Sequence, residues 1–230
     1  MWIICVYPVL RAGFSLPSLL PSSLTMVAVI NYNAGNIRSV LYALERIGVE
    51  HVLTDDHEVI RNANKVIFPG VGAAASTMKH LKETGLADLI RSLTQPVFGI
   101  CVGMQLLCSH SEEGDVPCIG VFPEKVKLFR PTNGDKVPHM GWNNVVLTEN
   151  NDWVSKEIDG DFFYYVHSYY VEQGPHTIAT TTYCGITYAA MLRKDNFFAA
   201  QFHPEKSAMV GEAILRSFLG LTDPATSTRL

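Results

Sequence analysis

Cys101 lies between two glycines in the run Gly99-Ile-Cys-Val-Gly103, directly after an apolar stretch and directly before Met104-Gln-Leu-Leu107. A thiol in a tight turn from a buried strand into a helix is well placed to act as a nucleophile. The glycines relieve crowding around a strained backbone, and the helix start supplies N–H groups and a positive potential that favour the reactive thiolate. The same five residues also fit a structural cysteine in an ordinary turn, with Cys108 further along the helix as the inert comparison. A second group is His203-Pro-Glu205, at the end of the apolar run Phe197-Phe-Ala-Ala-Gln-Phe202. In an extended segment residues two apart point the same way, so His203 and Glu205 can converge on one site. A carboxylate beside an imidazole fixes its tautomer and stabilises its protonated form, which makes His203 a candidate base for Cys101. A solvated turn ahead of the last helix is the competing reading. Of the eight histidines, His51, His57, His80 and His176 lie in polar stretches and are expected to be exposed; composition leaves His110, His139 and His167 open.

The elements around these residues predict an open parallel sheet. Val27–Ile30 reads as a buried strand, and Ile37, Val40, Leu41, Leu44 and Ile47 recur at helical spacing until Gly48. Further strands are predicted at Val49–Leu53, Val66–Phe68 and Pro96–Ile100, with helices at Ala73–Lys82 and Leu86–Leu93. This alternation implies a mostly parallel sheet flanked by helices, a flavodoxin-like α/β fold. The second half adds strand-like runs at Val126–Phe129, Asn144–Leu147, Phe162–Val166, Ile178–Thr182, Ala189–Leu192 and Phe197–Phe202, expected as extra antiparallel strands. A last helix is expected over Gly211–Leu219. Such sheets bind ligands at the carboxyl ends of their strands. Pro69-Gly-Val-Gly72, Cys101 and His203 all fall at such ends.

The bulk composition narrows the function classes. The chain has 230 residues, 47% hydrophobic and 17% charged, with a formal net charge of −4. This fits a globular domain and gives no electrostatic case for nucleic acid or an anionic membrane surface. Five cysteines form no CxxC pair, which argues against a disulfide framework or zinc site and suits a reducing cytoplasm. Residues 1–25 are apolar and rich in Pro and Ser. They lack a basic start, and Pro8, Pro17 and Pro21 interrupt any spanning helix. They read as a disordered leader or a start site called too early, followed by one domain over 26–222 and a short tail over 223–230. No cofactor is expected: Gly70-Val71-Gly72 lacks the third glycine of a dinucleotide fingerprint, no P-loop lysine motif occurs, and no set has metal-ligand spacing.

These residues resemble the class I (triad) glutamine amidotransferases, whose cysteine lies in such an elbow and whose His-Pro-Glu comes late. Asn33-Ala-Gly-Asn36, Pro69-Gly-Val-Gly72, His139-Met-Gly-Trp-Asn143, Tyr164-Tyr-Val-His-Ser-Tyr169 and Gln201-Phe-His-Pro-Glu-Lys-Ser207 narrow this to the glutaminase subunits of imidazole glycerol phosphate synthase. The resemblance spans Met26 to about Leu221. It implies a Cys101–His203–Glu205 triad and an oxyanion site from the backbone of Val71, Gly72 and Val102. Gln105 and Glu113, with the backbone of Ser168 and Tyr169, would hold the head group of glutamine. A heterodimer with a cyclase subunit of (β/α)8-barrel fold is implied, with Asn36, Met140, Trp142, Tyr164 and Lys206 at the interface gating the ammonia path. Two other readings compete: a triad glutaminase serving pyridoxal phosphate, anthranilate or aminobenzoate synthesis, and a non-catalytic interaction subunit. The Asn-Ala-Gly-Asn and His-Met-Gly-Trp-Asn segments speak against the first, and the intact Cys, His and Glu set against the second.

Overall fold

The computed structural model describes residues 25–32, 37–70, 72–131 and 134–221. The leader, the tail, Asn36 and Val71 therefore lie outside the described residues. The first half alternates β1 (Val27–Ile30), α1 (Arg38–Ile47), β2 (His51–Thr54), α2 (His57–Asn62), β3 (Lys65–Gly70), α3 (Ala74–Glu83), α4 (Leu86–Ser92), β4 (Val97–Cys101) and α5 (Val102–Leu107). Two-residue strands β5 (His110–Ser111) and β6 (Val116–Pro117) precede β7 (Lys125–Leu128), β8 (His139–Asn144) and β9 (Val146–Leu147). Strands β10 (Phe162–His167), β11 (Tyr169–Val171), β12 (Thr177–Tyr183), β13 (Ile186–Lys194) and β14 (Phe197–Ala200) follow, and α6 (Ala208–Leu219) comes last.

Strands β2, β1, β3, β4 and β14 lie side by side and run parallel. This is the flavodoxin-like order. From β14 the sheet continues through antiparallel β13, β11 and β7, as the second-half composition predicts. The inner strands β1 and β4 are apolar throughout because both of their faces are covered, whereas the edge strand β2 is polar at both ends and only half-buried. Val27 and Val29 of β1 point to α1 and α6, packing with Val40, Leu44, Ile214 and Phe218. Ala28 and Ile30 point to the opposite layer with Met78, Leu81, Leu89 and Met104. Gly48 stops α1 with φ of 81°, its N–H bonded to Leu44 and Glu45 carbonyls.

Several expectations shift. The run predicted as one strand over Asn144–Leu147 is split between β8 and β9, because buried Val145 leaves a two-stranded ribbon and the next residues join the main sheet. That ribbon, β8 with β10, is separate from the main sheet. Strand β14 ends at Ala200, so Gln201 and Phe202 already lead out of the sheet. Strand β3 runs on through Pro69 to Gly70, held by pairing of Gly70 with Cys101. There the two backbones nearly touch. A Cβ on Gly70 would lie 1.8 Å from the Gly103 nitrogen, and one on Gly103 would lie 2.1 Å from the Phe68 carbonyl oxygen.

Gly103→Ala therefore forces β3 and α5 apart and is expected to cost about 3 kcal/mol or more. Thermal denaturation measures this, and a variant as stable as the parent would contradict the contact.

Candidate active site

The elbow is strained in the way its glycines imply. Cys101 has φ of 54° and ψ of −112°, outside the comfortable range for a residue with a side chain. The strand ends on Cys101 and α5 begins at Val102 with no side chain capping its start. The Cys101 side chain is buried among hydrophobic residues yet opens on a cavity of about 290 Å³. This is near the small end of ligand pockets, which run from roughly 300 to 1,000 Å³. Gly70, Gly72, Val102, Gln105, Glu113, Ser168, Tyr169, His203, Glu205 and Lys206 line it with Cys101. The structure thus gathers most of the predicted site residues around one cavity.

His203 and Glu205 do converge, by a different route from the one expected. The chain after His203 is a 3-10 turn over Pro204–Lys206, not an extended segment, and proline favours that turn at its first position. The turn folds Glu205 back so that its Oε1 lies 2.9 Å from His203 Nδ1. The neutral ring with a free Nε2 then carries its proton on Nδ1 and donates it to the carboxylate. His203 Nε2 and Glu205 Oε2 are buried with no hydrogen-bond partner. Burial alone would lower the imidazole pKa. The negative charge of Cys101, with the Glu205 hydrogen bond and charge, overrides it and raises the pKa to about 10. Cys101 acts on the ring both by its charge and by facing Nε2 as an acceptor. Burial pushes the Cys118 thiol to about 11 and Cys108 well above its ordinary value, so Cys108 serves as the inert comparison.

The proposed head-group residues are already partly engaged. Gln105 donates from Nε2 to the Tyr169 carbonyl at 2.8 Å and to Gln201 Oε1 at 3.0 Å. Only its carbonyl oxygen is left for a ligand. Glu113 accepts the Ala74 N–H at 2.9 Å, capping α3, whose own N-cap residue Ala73 supplies no side-chain bond. Gln201 is a site residue that the sequence reading quotes in a motif without assigning it a role. Its Nε2 lies 3.8 Å from Cys101 Sγ. Its place two residues before His203 was the available signal, since residues two apart share a strand face.

Met140, Trp142 and Tyr164 do not line the cavity. They lie on the ribbon, where Trp142 pairs with Tyr164 and Met140 with Val166. Met140, Trp142 and Phe162 are 63%, 52% and 57% exposed. Lys206 belongs to both places, lining the cavity and lying 5.9 Å over the Tyr164 ring. The ribbon is tied to the histidine through the main chain. The His203 N–H donates to the Tyr164 carbonyl at 2.9 Å, and Ser207 Oγ accepts the Tyr164 N–H while donating to the His203 carbonyl.

The ribbon's inner face is a chain of neutral rings. His139 Nδ1 meets Tyr188 Oη at 3.1 Å, Tyr188 Oη meets His167 Nε2 at 3.3 Å, and His167 Nδ1 meets the Tyr169 carbonyl at 2.7 Å. Burial lowers His139 to about 4 and His167 to about 3. These open cases are thus uncharged packing groups, and His167 also lines the cavity wall. His110 pairs with Asp115 away from that wall. The four histidines expected to be exposed are all half-buried, and His176 bonds the buried Glu124.

Removing either negative partner of His203 should lower its titration midpoint from about 10. In Cys101→Ala and in Glu205→Gln the fall should be at least about one unit, because burial then acts with less opposition. Ring-proton NMR titration measures it; a midpoint unmoved in both variants would refute the arrangement.

The family profile described as "Glutamine amidotransferase class-I" matches residues 28–220. The chain is 57% identical over 196 residues to the imidazole glycerol phosphate synthase subunit HisH of Bacteroides thetaiotaomicron, covering 85% of this chain and 99% of that protein. It is 47% identical to the HisH subunit of Idiomarina loihiensis, over 85% of this chain and 98% of that one. Among solved structures, PurLQS from Thermotoga maritima superposes with a TM-score of 0.62 at 18% identity, covering 86% of this chain and 99% of that one. A glutamine amidotransferase from the same organism does so with a TM-score of 0.59 at 16% identity, covering 86% and 97%. At such identities the structures speak for the fold alone. The chain belongs to the class I glutamine amidotransferases and, among them, to the HisH family of imidazole glycerol phosphate synthase subunits.

Proposed function

We propose that this chain hydrolyses glutamine to glutamate and ammonia and delivers the ammonia to a cyclase subunit in histidine biosynthesis. The observation that carries the reading is the buried His203–Glu205 pair sharing one cavity with the strained Cys101 elbow. Cys101 Sγ attacks the side-chain amide carbon of glutamine. The oxyanion is met by the backbone N–H of Val102 and by the turn carrying Val71 and Gly72, where the φ of 105° at Gly72 suits glycine. His203, held as imidazolium at neutral pH, gives its Nε2 proton to the leaving nitrogen as the C–N bond breaks, releasing ammonia. Water then attacks the thioester while His203 takes its proton. The C–S bond breaks, glutamate leaves, and the Cys101 thiolate and His203 imidazolium are restored. Glu205 holds the ring throughout. The Gln105 carbonyl oxygen and Glu113 receive the α-ammonium group, and the Ser168–Tyr169 backbone completes the head-group site.

The partner is a cyclase of (β/α)8-barrel fold in a heterodimer, yielding imidazole glycerol phosphate and aminoimidazole carboxamide ribotide. Its docking face is the exposed side of the β8–β10 ribbon, with Met140, Trp142 and Tyr164, joined by Lys206; the resemblance adds Asn36, which lies outside the described residues. An apolar, aromatic surface beside a cavity favours a protein partner over solvent. Among the described residues no helix is long and apolar enough to cross a membrane. The free thiols of Cys101, Cys108, Cys118 and Cys184 support work in the reducing cytoplasm.

Purified alone, the chain should hydrolyse glutamine slowly, and the cyclase with its nucleotide bound should stimulate it strongly. Full activity without a partner would sink the coupled reading. Cys101→Ala should reduce glutamine-dependent synthesis at least about a thousandfold while leaving synthesis from ammonium salts intact. Trp142→Ala should weaken cyclase binding about tenfold or more by calorimetric titration, as expected for an aromatic anchor; an unchanged affinity would move the docking face elsewhere.

A further inference from the structure

We propose that Gln201 is a further catalytic residue, whose side-chain N–H stabilises the negatively charged sulfur of Cys101 and whose side-chain oxygen sets the orientation of Gln105. Tyr169, Gln105, Gln201 and Cys101 are joined by a chain of hydrogen bonds with only one consistent direction. The Gln105 side-chain nitrogen lies 2.8 Å from the Tyr169 carbonyl oxygen, which can only accept, so the group facing it must be the NH2. Turning the amide over would set two acceptors against each other. The second N–H of that NH2 points to Gln201 at 3.0 Å, so the Gln201 atom there must be its oxygen. The Gln201 nitrogen is then directed at Cys101 Sγ, 3.8 Å away. Gln201 is fully buried, so water does not compete for this donor.

Cys101 Sγ has a second neighbour, the Val166 carbonyl at 4.0 Å. A carbonyl can accept only from the thiol form, whereas the Gln201 N–H donates to sulfur in either form and more strongly to the thiolate. The two contacts favour opposite protonation states, and the Gln201 donor is the one that suits the nucleophile. The same amide therefore serves the nucleophile at one end and the substrate at the other, because fixing Gln105 leaves its carbonyl oxygen for a ligand. That second role rests on the glutaminase reading; the contact with sulfur does not.

The test uses the full chain with Gln201→Leu, which removes donor and acceptor, and Gln201→Glu, which keeps the acceptor for Gln105 but sets a carboxylate beside the sulfur. Alkylation of Cys101 by iodoacetamide, which forms an S–C bond as iodide leaves, is followed across pH by peptide-resolved mass spectrometry. Thermal melting checks that each variant is folded. In Gln201→Leu the rate at neutral pH should fall about tenfold and the profile should move to higher pH. Gln201→Glu should fall further. With the cyclase present, both should lower kcat, and KM should rise more in Gln201→Leu than in Gln201→Glu. An alkylation profile unchanged in either folded variant would overturn the proposal. A parent chain inactive toward glutamine with its partner would overturn the glutaminase reading while leaving the alkylation comparison standing.

Discussion

The contact between the end of β3 and the first turn of α5 is made by backbone atoms alone. Gly70 and Gly103 approach so closely that neither has room for a Cβ, and Gly99 is nearly as confined, with a Cβ there only 2.7 Å from Leu107. This contact brings the Gly70–Gly72 turn against the elbow, and it holds Cys101 at φ of 54°. If the two segments separated by one methyl group, the sheet would still form. The ends of β3 and β4 would no longer meet at the cavity that Gly70, Gly72, Cys101 and Val102 line. The sheet supplies the strength here, while the three glycines supply the position.

A second constraint is electrical. Sulfur, imidazole and carboxylate are almost wholly buried at the wall of the cavity, where an unpaired charge would be costly. Each charge is answered in sequence: Glu205 by the His203 ring, and the ring by the sulfur. The neighbouring histidines meet the same burial in the opposite way. His139 and His167 have tyrosine and backbone partners but no carboxylate, and both stay neutral. Chemically identical buried rings thus differ in charge state, because His203 has the Cys101 sulfur and the Glu205 carboxylate as partners while burial acts on His139 and His167 without such opposition.

Much of this was legible in the sequence, for reasons that differ by element. The inner parallel strands β1, β3 and β4 were readable because burial on both faces makes them mostly apolar, and Gly48 announced the end of α1. The elbow was readable because glycine at both flanks of a cysteine has few other uses. Strand β8 was missed because His139-Met-Gly-Trp-Asn-Asn144 has no clean alternation of apolar and polar residues; its outward side is exposed Met140 and Trp142, and its inward side starts with a histidine. Helix α2 was missed because six residues carry too little periodicity, although Asp56 accepts from the Glu58 and Val59 N–H groups as a cap should. The turn that brings Glu205 to His203 could not be told from an extended pair by spacing. The state of His167 depends on its burial, in a pocket closed in part by Tyr188, which is 21 residues away in sequence.

The hydrogen bond from the His203 amide to the Tyr164 carbonyl makes the outer ribbon and the imidazole parts of one lever. Tyr164 presents a half-buried side chain on the ribbon and its carbonyl to the backbone N–H of His203, so a single residue joins the ribbon to the residue that lines the cavity. A molecule gripping the ribbon needs no relay of shifting side chains to be felt within. A synthetic binder selected against Trp142 and Tyr164 would therefore be a throttle as well as a label, and whether it opened or closed the enzyme would depend on the direction in which it pulled that strand.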